Sequence, residues 1–286
     1  MPTPQPDGYR RSFHFEWPER VPWSELGPEF IEEWGHKDGK FAPEHMEITG
    51  ATGSGKTYLA ATMLQQRAQL YGSSEIFVVT KPDDDSVPRL GWPVVDTWKE
   101  LQKYRQAIFW PRTDLTGEDR EFYHEQKIYE ELLVPLWEPN ANTVLTWDEI
   151  GYVEELTKKG PGRKKRLKKF IRMIWREARS QGITQVAMKQ RPIGVNRDQH
   201  SESRIKAVFP PQDRGDAPRF AEMLGAPADW MPVLDDLDEE AHECVLQFRR
   251  RAYITWVDVD LQPLPAQANQ PDRTTREYLH GRSRVG

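Results

Sequence analysis

The stretch Gly50-Ala51-Thr52-Gly53-Ser54-Gly55-Lys56-Thr57 satisfies the pattern G-x-x-x-x-G-K-[ST] at every position. Its composition follows from the geometry it serves. Glycines let a backbone curl round an anion with its N–H groups turned inward, and a helix starting just after adds the positive end of its dipole. The flanks supply that setting: His45–Thr49 reads as a short strand before the loop, and 56–70 reads as a helix after it. In such a loop Gly50, Gly53, Ser54 and Gly55 offer backbone donors, Lys56 reaches the β- and γ-phosphates, and the Thr57 hydroxyl ligates Mg2+. Tyr58, the next residue, completes the set expected to touch the nucleotide. ATP and Mg2+ are the expected cofactors.

A second signal stands about 90 residues downstream, where Val144-Leu145-Thr146-Trp147 runs into Asp148-Glu149. An apolar strand that ends in two acids places a carboxylate beside the phosphates. Asp148 is expected in the magnesium shell, and Glu149 is expected to polarise the attacking water. A second acid next to the metal ligand points to hydrolysis rather than phosphoryl transfer to another substrate.

Outward from these two segments, the chain alternates strands with helices. The runs 76–80 (IFVVT) and 143–147 (TVLTW) are continuous apolar stretches bounded by polar residues, the mark of strands buried on both faces. Val94–Val95, 107–110, 184–189 and 205–209 read as further strands. Residues 118–137 and 163–180 read as helices, the first stopped by Pro139 and the second by Gly182. This alternation predicts a three-layer α/β domain with a mostly parallel central sheet. Four parts are expected: a Pro- and Trp-rich wrapping arm over 1–44 with one short helix near 28–34, a nucleotide-binding core over 45–210, a helix and small β-hairpin over 211–260, and an extended or mobile tail over 261–286. The hairpin strands are expected at 244–249 and 253–259, after the helix Ala217–Leu224 and an acidic loop at 235–243. That loop reads as solvated rather than metal-binding.

Composition narrows the class. With 37% hydrophobic and 30% charged residues, the 286-residue chain can bury a core but is polar for a globular protein. No apolar run reaches the ~18 residues of a membrane span, and the N-terminus lacks the apolar core of a secretory signal. A cytoplasmic location is expected. The single cysteine, Cys244, rules out an internal disulfide and reads as a small buried apolar residue.

The net charge of −5 hides an asymmetry. From Lys158 to Arg179 there are eleven Lys or Arg and one acid, a local +10, so the remaining residues sum to −15. Leu167, Phe170, Ile171, Ile174 and Trp175 fall on one helical face. Lys165, Lys168, Lys169 and Arg172 then project from the other, behind a Gly-Pro-Gly loop that carries Lys158, Lys159, Arg163 and Lys164. These eight cations are the expected contacts to a nucleic-acid backbone, with no sign of base readout.

The segment Arg176-Glu177-Ala178-Arg179-Ser180-Gln181-Gly182-Ile183-Thr184-Gln185-Val186-Ala187-Met188-Lys189-Gln190-Arg191-Pro192 carries a basic helix, a Gly stop, a strand and then Gln-Arg-Pro. Together with the loop and the Trp-Asp-Glu acids it resembles the FtsK/HerA superfamily of DNA-pumping P-loop ATPases, over roughly residues 45 to 210. Lys189 stands where relatives tend to have a small residue. The resemblance implies a RecA/ASCE-like P-loop NTPase fold and ATP-driven translocation of double-stranded DNA, as in viral genome packaging. It implies Gln190 as a sensor of the γ-phosphate or its water, and Arg176 or Arg179 as an arginine reaching a neighbouring subunit's ATP. It also implies a homo-oligomeric ring, commonly a hexamer, with a portal or capsid protein as a further partner. Other readings of the same loop are an AAA-type remodelling ATPase or helicase loader, a phage morphogenesis ATPase, and a regulatory module that barely hydrolyses.

Overall fold

A computed structural model describes residues 15–37, 40–41, 44–81, 87, 90–111, 119–137, 141–157, 165–191, 197–262, 265 and 269. Twelve strands form among them: β1 (Glu19–Arg20), β2 (His36–Lys37), β3 (Lys40–Phe41), β4 (His45–Thr49), β5 (Ser74–Val78), β6 (Val94–Val95), β7 (Gln106–Phe109), β8 (Thr143–Trp147), β9 (Ile183–Lys189), β10 (Ser203–Val208), β11 (Cys244–Phe248) and β12 (Arg251–Thr255). The helices are α1 (Trp23–Gly35), α2 (Lys56–Tyr71), α3 (Trp98–Leu101), α4 (Asp119–Leu136), α5 (Ile150–Leu156), α6 (Lys165–Glu177), α7 (Arg197–Glu202), α8 (Ala217–Leu224) and α9 (Pro227–Asp235). A 3-10 turn, Ala178–Gln181, closes α6 and ends at Gly182 with φ 79°, the left-handed stop that glycine favours.

Ten of the strands join in one sheet, ordered β1-β12-β11-β10-β4-β9-β8-β5-β7-β6. From β10 to β6 every pairing is parallel, whereas β10–β11 and β11–β12 are antiparallel. The middle strands β4, β7, β8 and β9 are buried at every position. That is what apolar runs covered by helices on both faces require. On one face Met46 and Ile48 pack against Leu59, Met63 and Leu64 of α2 and Trp23, Phe30 and Trp34 of α1. On the other, Leu145, Trp147 and Ala187 pack against Leu132 of α4, Val153 of α5 and Ile171, Ile174 and Trp175 of α6. The architecture is the three-layer α/β fold expected from the alternation. The hairpin β11–β12 extends the same sheet beside β10, roofed by Phe220, Trp230 and Val233 of α8 and α9.

Three features differ from the sequence expectation. α1 starts five residues before Pro28 and contains it. Its first turn is held by a residue far away in the chain: Asp258 accepts hydrogen bonds from Ser24 N (2.8 Å) and Ser24 Oγ (2.6 Å), an N-terminal cap that no local pattern announces. Close packing at Gly27, where a Cβ would come within 2.7 Å of Trp23 Nε1, fixes the same helix. The hairpin turn falls at Arg249 and Arg250, with φ of 46° and 68°, two residues in the left-handed region that usually selects Asn or Gly. Arg249 is held there by Glu33, through Nη1–Oε2 (3.2 Å) and Nη2 donating to the carbonyl (2.9 Å). Finally α3, α5, α7 and α9 form where the sequence pattern predicts no helix. α9 carries Pro227 in its first turn and Pro232 inside it, residues that mask a helix from propensity alone.

Of the tail, residues 261, 262, 265 and 269 are described. Asn269 is buried and bonds along the start of β7, its carbonyl accepting from Arg105 N and its side chain exchanging bonds with Gln106 N and O.

Candidate nucleotide site

The register of the parallel strands brings the two motifs to one edge. Thr49 stands opposite Lys189 and Trp147 opposite Ala187, so β9 lies between the loop strand β4 and the acid strand β8; β4 and β9 end level, and β8 ends two residues earlier at the same edge. Gly50 N then donates to Lys189 O (3.1 Å), Phe209 N to Thr49 O (2.9 Å), and Asp148 N to Val78 O (3.0 Å). The carboxyl edge of a parallel sheet, where strand order reverses, is the usual ligand position in such folds.

The loop has the shape an anion needs. Gly53 and Gly55 take φ of 81° and 96°, and Gly55 stands at the start of α2. Gly50 is constrained by contact instead: a Cβ there would lie 2.5 Å from Phe209 Cβ and 2.8 Å from Ser54 Oγ. Lys56 is nearly buried and its Nζ donates to Ala51 O (2.5 Å). Burial first, then the nearby Lys81 ammonium, lowers its pKa to about 8.

Asp148 is buried, with Oδ2 3.3 Å from Lys81 Nζ. Thr80 Oγ1 lies 3.4 Å from both Asp148 Oδ1 and Glu149 O. Glu149 stands between the end of β8 and the start of α5. Burial raises its pKa, against which the nearby backbone N–H groups of Gln190 and Gly151 and the two lysines pull. Sequence reasoning missed Thr80 and Lys81. Their signal was the end of the apolar run at 76–80, which the topology sets beside the acids.

An oxygen donor set of one hydroxyl, Thr57, and one carboxylate, Asp148, suits Mg2+, which takes few protein ligands and fills its shell with water and phosphate oxygens. The ammonium of Lys81 already faces the Asp148 carboxylate, so the site is built for positive charge. Among the described residues no group of three or more His, Cys, Asp or Glu could hold a metal ion, the acidic loop at 235–243 included. There Glu243 accepts from Arg20 Nε and from Asp238 N, tying β1 to the loop.

The other expected residues are placed as follows. Gln190 and Arg176 are exposed, Gln190 at the end of β9 and Arg176 in the last turn of α6. Arg179 reaches Glu44 (3.6 Å), which Arg204 shares (3.4 Å). Lys168, Lys169 and Arg172 are exposed on α6 while Leu167, Ile171, Ile174 and Trp175 are buried, the division the helical spacing predicted. Lys165 opens α6. Lys158, Lys159, Arg163 and Lys164 lie outside the described residues.

A buried polar group stands directly behind the loop. Glu47 of β4 forms an ion pair with Lys189 of β9 and lies 3.2 Å from Nδ1 of His200 on α7. Lys206 of β10 approaches His200 Nε2 (3.5 Å) and donates to Met223 O (2.6 Å). Beside the loop on the opposite flank, a cavity of about 440 Å3 is lined by Gly53, Lys56, Tyr58, Phe209, His242 and Trp256, among others. A larger open groove, about 1180 Å3, lies at the far end of α2 by Glu29, Glu32 and Leu70 and holds none of these groups. Among the described residues no helix is long and apolar enough to cross a membrane.

No protein-family model matches the chain, and no curated protein matches it in sequence. Solved structures do match its fold. One is the genome packaging NTPase B204 of Sulfolobus turreted icosahedral virus 2 in complex with ATP-gammaS, at TM-score 0.51 and 13% identity, covering 76% of this chain and 98% of that one. The cytoplasmic domain of the type VII secretion ATPase EccC of Thermomonospora curvata aligns at TM-score 0.52 and 15% identity, over 83% of this chain and 28% of that one. The conjugation coupling protein TcpA of pCW3 aligns at TM-score 0.50 and 16% identity, over 89% and 74%. The chain shares the α/β fold of these packaging, secretion and coupling proteins.

Proposed function

We propose that this protein is an ATP-driven DNA translocase of the genome-packaging kind, hydrolysing ATP with Mg2+ at the carboxyl edge of its sheet. The observation that carries the reading is the convergence of Lys56, Asp148 and Glu149 beside the loop, at the carboxyl edge where β4, β9 and β8 run side by side. The likeness in fold to B204 supports the packaging reading, as do the sequence features shared with DNA-pumping ATPases.

In this reading the N–H groups from Gly50 to Thr57 cradle the phosphates, and Lys56 leaves Ala51 O for the β- and γ-phosphates. Thr57 and Asp148 would hold magnesium, whose charge would offset that gathering on the γ-phosphate oxygens. Glu149 orients the water and receives its proton. Its raised affinity for protons suits that role, since a base works best with a pKa near the operating pH. Gln190 reports the γ-phosphate to β9. Arg176 or Arg179 serves the ATP of a neighbouring copy in a ring, and Arg179 would exchange Glu44 for phosphate on assembly. The exposed Lys168, Lys169 and Arg172 of α6, with Lys158, Lys159, Arg163, Lys164 and Lys165 just before them, form the DNA contact. A portal or capsid protein is the natural partner for a motor of this kind.

The test is ATP turnover with and without double-stranded DNA across a salt series. Lys56→Ala should abolish turnover. DNA should stimulate the native protein, less so as salt rises, and replacing Lys164, Lys165 and Lys168 with Ala should remove the stimulation. Stimulation that survives in the triple variant would refute the DNA contact, and turnover that survives in Lys56→Ala would refute the site.

A further inference from the structure

The end of β5 runs beside the acid strand. Val78 stands opposite Trp147, and Asp148 N donates to Val78 O (3.0 Å), so the residues that follow β5 face the two acids. On its other side the same stretch is pinned by the end of β7. Val79 N donates to Phe109 O and Trp110 Nε1 to Lys81 O, both at 2.9 Å. The backbone of Lys81 is thereby fixed, and its four-carbon stem is the part that can swing. Here the stem carries the ammonium to 3.3 Å from Asp148 Oδ2. The two partners differ in exposure: the Lys81 side chain is 37% exposed and that of Asp148 2%. An ion pair between exposed groups contributes little, but a carboxylate this deeply buried is costly without a cation. In the loaded site the metal of a nucleotide complex would be that cation. In the unloaded site another group has to be.

We propose that Lys81 is the resident counter-ion of Asp148: it holds the metal's place while the site is unloaded, and turns to the phosphates when a metal–nucleotide complex takes Asp148. The proposal rests on the reading of Gly50 to Thr57 and Asp148 as a nucleotide site, and it adds to that site a catalytic lysine supplied by the same chain. Lys56 is poised in a comparable way, its ammonium resting on Ala51 O (2.5 Å). Burial is the main cause of the lowered Lys56 pKa and of the raised Glu149 pKa, but Lys81 acts on both. Its charge is therefore felt at the loop and at the base alike. Lys56 and Lys81 balance Asp148 and Glu149, so this group of four is neutral when unloaded. A triphosphate with one divalent ion brings net negative charge to it. The ammonium released from Asp148 then finds its next partner among the phosphate oxygens, where charge gathers in the transition state. Mg2+ on its own meets a carboxylate that is already paired, so the site takes the metal with the nucleotide and not before it.

The experiment titrates Mg2+ alone and then MgATP into the full chain by calorimetry at about pH 8, where Asp148 is ionised, and measures turnover at saturating MgATP. Lys81→Met should bind Mg2+ alone about tenfold tighter than the native protein does, the size of one charge-assisted bond. Its turnover should fall by about tenfold or more. The gain in Mg2+ affinity should vanish when Asp148→Asn is added. Lys81→Arg keeps the charge and should keep the native Mg2+ affinity. Lys81→Gln should behave like Lys81→Met, and serves if the apolar side chain harms folding. A lysine that only supports the fold would lower Mg2+ affinity and turnover together. Unchanged or weaker Mg2+ binding in Lys81→Met would overturn the proposal, as would a gain that survives Asp148→Asn or turnover at the native rate. If the native protein does not bind MgATP, the nucleotide-site reading falls and the proposal falls with it. If it binds and hydrolyses MgATP while Lys81→Met changes neither quantity, only the proposal falls.

Discussion

Replacing Lys189 by Met removes one half of an ion pair that has almost no access to water: Glu47 is 0% exposed and Lys189 4%. Deleting one partner of such a pair costs about 3–5 kcal/mol, because the other charge stays buried. The remaining neighbours decide how the cost depends on pH. Glu47 still faces His200 at 3.2 Å, and Lys206 stands behind the imidazole. The His200 pKa is lowered by burial first, then by Lys206 and Lys189. Without Lys189 one of those causes is gone and the buried carboxylate beside His200 has lost its cation, so the folded variant binds protons more readily at His200 or at Glu47. A folded state that gains proton affinity is stabilised as pH falls and loses that stability as pH rises through the folded value. Burial, then Lys206, lowers the Lys189 pKa itself to about 7. The native protein therefore also loses stability as pH falls through that value, and the variant does not. The deficit of Lys189→Met relative to the native protein should thus be near 3–5 kcal/mol at about pH 8 and smaller by roughly 1 kcal/mol or more at about pH 5.5. Urea unfolding at the two pH values measures both numbers. Adding Glu47→Gln should return about half of the loss at pH 8, since the uncompensated charge is removed. A deficit below about 1 kcal/mol at pH 8, or one equal at both pH values, would refute this account of the cluster.

Gly50→Ala should cost nucleotide affinity far more than it costs folding. The new methyl meets Phe209 Cβ at 2.5 Å, so the loop must shift. Loss of tripolyphosphate binding with folding stability lowered by only about 1–3 kcal/mol of overpacking, read by urea unfolding, is the expected pair of results. Asp258→Ala should lower stability by about 1 kcal/mol through the uncapped first turn of α1, readable by urea unfolding, and Asp258→Asn should keep most of it.

How much of this could be read in advance varied with how local the cause was. The loop and the acid strand were legible because each is a contiguous run whose chemistry and flanks agree, and β4, β8 and α8 fall where their patterns put them. The face of α6 was legible for the same reason, its apolar residues repeating at helical spacing. The slot taken by β9, between loop and acids, follows from strand order, which no local pattern encodes. Thr80 and Lys81 acquire their place beside Asp148 only through that order. The start of α1 depends on Asp258, and the arginine turn of the hairpin depends on Glu33, each more than 200 residues away along the chain. The cavity beside the loop is the extreme case, since its walls meet only after β10, β11 and β12 have joined the sheet.

The cap on α1 has a kinetic consequence. Ser24 and Asp258 are 234 residues apart. At about 5–20 residues per second, a ribosome needs roughly 10–50 s to travel from one to the other. For most of that interval Trp23 and Phe30 have been made while β10, β11 and β12 have not, so their apolar surface must be kept from wrong partners. A pulse of synthesis should therefore leave the α1 segment sensitive to protease until the last strands emerge.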